Sequence, residues 1–276
     1  MTTDFAYDPV TAIDEAKAVG ETAALFSEIR QTMRIPLVTS IWRGLAGMDD
    51  SLRLAWAAAK PIYESGEPER SLARSVVAVG LPRPEPLAPT ALACVGLSGS
   101  DIIAARAVVA AYNRSNGLNL MALAAMIAPS AIGGTTVPAA RPVASLSHWP
   151  SLPPLLPREA ISADTWDIIR HVNAFGSSGV DAGIATLWRH LAHWPALLAL
   201  VHGAFAPLQS RGLIANASAR LVALGAAEGA LMAHLRPNPS ALSRHALATI
   251  AGYVRNPGQV ARMVTIGHAV SEWLDR

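Results

Sequence analysis

Two stretches of the chain repeat one another, and this self-similarity limits the fold more than any single motif. Ile41-Trp42-Arg43-Gly44-Leu45-Ala46 reads against Leu187-Trp188-Arg189-His190-Leu191-Ala192 at an offset of 146 residues. Carried forward without gaps, the offset pairs Leu52 with Leu198, Pro61 with Pro207, Gly66 with Gly212, Arg74 with Arg220 and Val76 with Val222. About a dozen of 40 such pairs are identical. A second match at offset 141 pairs Tyr112-Asn113-Arg114 with Tyr253-Val254-Arg255 and Gly117 with Gly258, and Ile29-Arg30 meets Ile169-Arg170 at offset 140. Ordered matches of this kind point to an internal duplication, in which each copy buries apolar surface against the other.

Each copy reads as helices. Apolar residues recur at helical spacing in Thr11 to Met33, Val38 to Ala46, Ser51 to Tyr63, Leu72 to Val79, Asp101 to Tyr112 and Asn119 to Ile127. Ser51 and Ser100 stand where helix N-terminal signals are expected, and Pro195 where a first-turn proline fits. The second half repeats the pattern from about Ala163 to Trp273. No segment alternates as a strand does. Between the halves, Pro129 to Pro157 holds 7 of the 20 prolines and reads as a semi-stiff linker. The expected fold is all-α, with two tandem helical repeats packed as a pseudo-two-fold dimer around a central cleft. The expected organisation is a first repeat over 1–128, a linker over 129–161 and a second repeat over 162–276, with the cleft as the natural ligand site.

Composition narrows the function. Half of the residues are hydrophobic (51%) and 15% are charged, so the chain is not disordered. It contains no uncharged apolar run of the length a membrane span needs. The N-terminus opens acidic, without a basic region followed by an apolar one, so a soluble cytoplasmic protein is expected. Net charge is +2, and the arginines are scattered rather than clustered, which argues against a nucleic-acid partner. Cys94 is the single cysteine and lies in an apolar run, where a small core residue is expected. His190 and His193 share a helix spacing, but with no His-Glu-x-x-His pattern packing is the better reading than zinc, and neither metal nor cofactor is expected. Trp42 and Trp188, at matched repeat positions, read as core anchors. Glu228 is a lone acid in an apolar helix, either on a solvated face or a perturbed carboxylate.

Three segments, Glu28-Ile-Arg-Gln-Thr-Met-Arg34-Ile35-Pro36, Ala110-Ala-Tyr112-Asn113-Arg114-Ser-Asn116 and Ala192-His193-Trp194-Pro195, give the chain a likeness to known proteins. In their order and in the duplicated helical layout it resembles the group I 2-haloacid dehalogenases over nearly its whole length. The resemblance implies two repeats enclosing one cleft, often in a homodimer. It implies an aspartate that activates water, which displaces halide from C2 of a small 2-halocarboxylic acid with inversion and no covalent intermediate. It places the family's water-holding asparagine on Asn113 and its cleft tyrosine on Tyr253. Two bulky family positions fall on Leu37 and Ser40.

The family's aspartate position falls on Leu187, next to Thr186, and leucine takes no proton. The repeat comparison places six extra residues in the second half within Asn173 to Gly183. Asp181 lies in that glycine-rich stretch and is the candidate general base; the alternative is a loop aspartate capping the next helix. Leu37, Ser40, Thr186 and Leu187 are the candidate substrate walls. Arg34 is the candidate donor to a substrate carboxylate, with a role at a helix end as its alternative. Asn113 as a loop cap and Tyr253 as a satisfied interface residue remain open beside their catalytic roles. Two further readings stand beside the dehalogenase: a different displacement or cyclisation enzyme on the same scaffold, and a non-catalytic binding protein.

Overall fold

The computed structural model describes residues 12–88, 90–129, 149–177, 183–237 and 242–275, and among these there are helices and no strand. A 3-10 turn, Glu15–Lys17, capped by Asp14, precedes α1 (Gly20–Met33), so the first helix is shorter than its apolar pattern. Arg34 ends α1 in the left-handed region at φ 54°, and its N–H and that of Ile35 both return to the Arg30 carbonyl. Pro36 follows, and α2 is confined to Ser40–Leu45. Next come α3 (Ser51–Glu64), α4 (Glu67–Val79) and the one-turn α5 (Ala91–Cys94). Then α6 runs 29 residues, Gly99–Ile127, where two helices were expected. Gly117 lies within it without breaking it, and serves packing instead: a Cβ there would meet the Leu72 side chain of α4. The second half contains α7 (Ala163–Asn173), α8 (Thr186–His190), α9 (Pro195–Ser210), α10 (Leu213–Met232), α11 (Arg244–Arg255) and α12 (Arg262–Leu274).

Local signals differ from expectation at three places. The cap of α6 is Ser98, not Ser100: its hydroxyl accepts from the Asp101 N–H, and the Asp101 carboxylate accepts from the Ser98 N–H in a capping box. Ser51 is the first residue of α3, after the N-cap Asp50. Cys94 is exposed, because the apolar run around it forms only one turn of helix with no buried residue.

Several positions paired by the 146-residue offset have the same local structure. Gly66 and Gly212 both have φ +69° just ahead of a helix, and Pro61 and Pro207 both lie inside helices. Trp42 and Trp188 are both fully buried, and Arg43 and Arg189 nearly so.

The hydrophobic residues form two clusters, and α6 contributes to both. Leu118, Leu120 and Met121 pack with Trp42, Trp56 and Tyr63, joined by Leu221 and Ile250 of the second half. Eight or more residues earlier on α6, Ala105, Val108 and Val109 pack with Trp188, Phe205 and Trp273. Polar ties cross between the halves as well. Trp194 Nε1 donates to Asp101 at 3.1 Å, Trp273 Nε1 to the Glu85 carbonyl at 2.9 Å, and Arg236 to the Met126 carbonyl at 2.5 Å. Glu228 belongs to this set: it accepts from Ser71 at 2.8 Å and Arg74 at 2.6 Å, and the Arg74 contact holds its carboxyl below the usual range. It is therefore a perturbed carboxylate rather than an acid on a solvated face, and the perturbation is downward.

Where α10 crosses α6, the helix backbones are close. A Cβ on Gly229 would lie 2.7 Å from the Ala124 carbonyl carbon and 2.8 Å from the Ala125 nitrogen. Gly229→Ala is expected to destabilise by about 1–3 kcal/mol, since backbone cannot yield as a side-chain end can. Gly203→Ala on α9, with open space around the new methyl, is expected to stabilise by about 0.5–1 kcal/mol. Urea unfolding of the two variants checks both signs. On α12, His268 Nε2 is buried without a partner, and burial pulls its imidazole from 6.5 to about 4. The unfolded chain then binds more protons than the folded one between those values, so this contribution is complete above pH 6.5 and is lost as pH falls toward 4. A lower urea midpoint at about pH 5 than at about pH 7.5 is expected, and His268→Gln should shrink the difference.

Candidate functional site

The short helices α2 and α8 begin at the same cavity. Their matched N-terminal residues, Thr39 and Ser40 in one half and Ala185 and Thr186 in the other, line a space of about 170 Å³. Tyr112 of α6 and Tyr253 of α11, paired by the second repeat offset, are also on its wall, with Leu187 and Asn116. An apolar cavity of about 150 Å³ holds benzene, so this one has the size of a small organic acid.

A buried polar knot fixes the first-half wall. Trp42 Nε1 and Tyr63 Oη both donate to Asn119 Oδ1, at 3.0 and 2.8 Å. Asn119 Nδ2 donates to Thr39 Oγ1 at 2.7 Å, which leaves the Thr39 hydroxyl proton available to the cavity. Desolvation keeps Tyr63 protonated, far above its ordinary pKa. Tyr253 is pushed up by burial too, the Asn119 amide pulling weakly the other way, and its hydroxyl makes no hydrogen bond of good geometry. Both phenols are therefore donors rather than bases.

Tyr112 also forms part of a second, larger cavity of about 730 Å³, whose wall includes Thr186, His190, Leu37 and Trp149. His190 Nε2 lies 2.6 Å from the Pro153 carbonyl, which can only accept, so this nitrogen carries the proton. Burial lowers the His190 pKa, and the neutral ring accepts from Tyr112 Oη through Nδ1 at 3.2 Å. His193 holds the Pro154 carbonyl in the same way at 2.8 Å. The two histidines thus pin a proline-rich strand of chain, and no group of three metal-ligating side chains occurs among the described residues.

Of the residues singled out in the sequence, Ser40, Thr186, Leu187 and Tyr253 come together at the smaller cavity. Leu37 lies on the larger one. Asn113 is on neither described wall: its Oδ1 is buried without a partner and packs against Gly267 of α12. Asn116, one turn further, faces the smaller cavity instead, and its side chain makes no hydrogen bond among the described residues. Arg34 lines neither cavity, and its carbonyl accepts from Arg114 and Trp149 at 3.2 and 3.0 Å. Asp181 lies outside the described residues.

Arg262 was missed in the sequence. It is 3% exposed and stands on the wall of the smaller cavity. Its signal is a cation in the apolar run Val260-Ala-Arg262-Met-Val-Thr-Ile with no acid at helical spacing. The ionisable side chains on the described wall are Tyr112, Tyr253 and Arg262, with no carboxylate among them.

Asn119→Leu, which keeps the volume but removes the shared acceptor of Trp42 and Tyr63, is expected to cost about 2–4 kcal/mol in urea unfolding. An unchanged midpoint would show that the knot is not needed.

Among the described residues, no helix is long and apolar enough to cross a membrane. No protein-family model matches the sequence, and no curated protein matches it. Solved structures do. A D-2-haloacid dehalogenase mutant superposes with a TM-score of 0.72 at 15% identity, covering 96% of this chain and 97% of its own. A D-2-haloacid dehalogenase in complex with L-LA gives a TM-score of 0.69 at 16% identity, with the same coverage. A mutant in complex with D-2-CPA gives 0.67 at 14% identity. The chain therefore shares the all-α fold of the D-2-haloacid dehalogenases over nearly its whole length.

Proposed function

We propose that the protein is a 2-haloacid dehalogenase-like hydrolase acting on a small 2-halocarboxylic acid. The observation that carries this reading is the small cavity itself, set in a fold shared with D-2-haloacid dehalogenases and lined by Ser40, Thr186, Leu187 and Tyr253. In the proposed reaction a water oxygen bonds to C2 from the face opposite the halogen as the carbon–halogen bond breaks. Halide leaves with the bonding pair, the water's proton passes to a base, and a 2-hydroxy acid of inverted configuration results. Asp181 is the proposed base. The resemblance assigned the water-orienting amide to Asn113; the placement of Asn116 on the wall supports giving that role to Asn116, with Asn113 supporting α6 against α12. The matched pairs Ser40 and Thr186, and Tyr112 and Tyr253, support a cleft built by two duplicated halves related by a pseudo-two-fold axis.

A second reading has an observation of its own. The described wall carries no carboxylate, which favours a relative that binds a similar ligand without dehalogenase activity. Halide release from both enantiomers of 2-chloropropionate and 2-bromopropionate separates the two. The proposal expects release from at least one enantiomer, reduced about 10²–10⁴-fold in Asp181→Asn as for loss of a general base. Asn116→Ala should lower turnover more than Asn113→Ala does once both are compared in folded protein. No release from any of the four acids would leave the second reading.

A further inference from the structure

The helix pair α11 and α12 departs from its repeat partner in a way that delivers one charge to the cavity. Where α6 continues through Gly117, the second half breaks at Asn256–Ala261: Asn256 Oδ1 accepts from the Gly258 N–H, and Gln259 is non-helical at φ −104°, ψ −126°. The break sets Gln259, Val260 and Arg262 on the cavity wall. Arg262 opens α12 with its guanidinium buried. Four hydrogen bonds hold it: Nε to the Gly258 carbonyl at 2.6 Å, one terminal nitrogen to the carbonyls of Asn173 at 2.7 Å and Phe175 at 3.4 Å, and the other to Asn173 Oδ1 at 3.3 Å.

All four acceptors are neutral. A guanidinium has five N–H donors, so one remains, and no carboxylate among the described residues lies within ion-pair distance. Burial draws its pKa down to about 10, which still leaves it cationic at neutral pH. Arginine is almost never buried without a counter-charge, because the desolvation cost then goes uncompensated. Around the same cavity stand two more groups without a full complement of partners: the Thr39 hydroxyl, whose proton is free once Oγ1 accepts from Asn119, and the Asn116 amide. One buried positive charge and neutral hydrogen-bonding groups around a space of this size form a complement to a single small anion.

We propose that the cavity binds a small monocarboxylate whose charge is neutralised by Arg262, with the Thr39 hydroxyl as a second donor to the carboxylate. Arg262 is thus the anchor for the acid end of the ligand, the role that the sequence suggested for Arg34. This deepens the hydrolase reading and rests on it for the choice of cavity. Its test uses acids that cannot react, so that the two ideas fail separately.

Isothermal titration of the full chain at neutral pH in chloride-free HEPES, with propionate, propionamide and sodium chloride as ligands, measures the charge requirement directly. Propionate is expected to bind at least about ten-fold more tightly than propionamide and than chloride. Arg262→Lys, which keeps the charge but loses the fork, should weaken propionate about ten-fold and leave propionamide unchanged. Because Arg262 also ties three carbonyls, Thr39→Val provides a variant outside those bonds. It leaves Asn119 Nδ2 without its acceptor, at a cost in stability. In protein that circular dichroism shows to be folded, it should weaken propionate several-fold and leave propionamide unchanged. Equal binding of propionate and propionamide, no binding of either, or chloride binding as tightly as propionate would overturn the proposal, whatever the outcome of the halide-release assay.

Discussion

A single helix, α6, contributes to both hydrophobic cores, and the rest of the molecule is arranged around that fact. Its early residues pack with Trp188 and Phe205, its later ones with Trp42 and Trp56. Helix α10 can approach it closely because Gly229 presents no side chain to the backbone of Ala124 and Ala125. The middle of α6 faces the cavity with Tyr112 and Asn116 and, at Asn119, ties down Thr39. The fold and the candidate site are therefore not separable. The residues that hold the two halves together are, within one or two turns, those that line the space between them.

The chemistry of that space is set by an imbalance of charge. Its described wall has two phenols, Tyr112 and Tyr253, of which burial keeps Tyr253 protonated, together with several neutral hydrogen-bonding groups and one guanidinium. Such a wall stabilises negative charge and supplies no base of its own. A ligand that brings the anion makes the arrangement electrostatically complete. In the proposed reaction, proton removal then falls to a group outside the described wall, for which Asp181 is the candidate. A nearby Arg262 cation would also help to stabilise negative charge as it develops during displacement.

Much of the architecture was legible in the sequence because local signals and long-range pattern agree. Matched Trp-Arg pairs mark buried anchors, and Gly66 and Gly212 mark the two left-handed entries into α4 and α10. What could not be read follows from geometry that spacing does not encode. Asn113 and Asn116 lie three positions apart, about 60° around a helix, and which of them meets the cavity depends on how α12 packs through Gly267. Gly117 reads as a helix end by spacing, but its missing side chain makes room for Leu72 of another helix, a packing role that spacing does not encode. Cys94 looked internal because its neighbours are apolar, but a one-turn helix has no buried face to offer it. Arg262 is legible in retrospect as a cation without an acid at helical spacing. Its place on the wall depends on the break before α12, which Pro257 and Gly258 permit but do not by themselves aim.

In the proposed function an organic acid binds in the small cavity between α2 and α8, rather than in the larger one beside Trp149. A crystal structure of the protein with D- or L-lactate tests it most directly. The ligand is expected in the smaller cavity, with its carboxylate within hydrogen-bonding distance of Arg262 and Thr39 and C2 beside Asn116. Lactate bound only against Trp149 and His190, or a smaller cavity closed over and empty at saturating ligand, would contradict it.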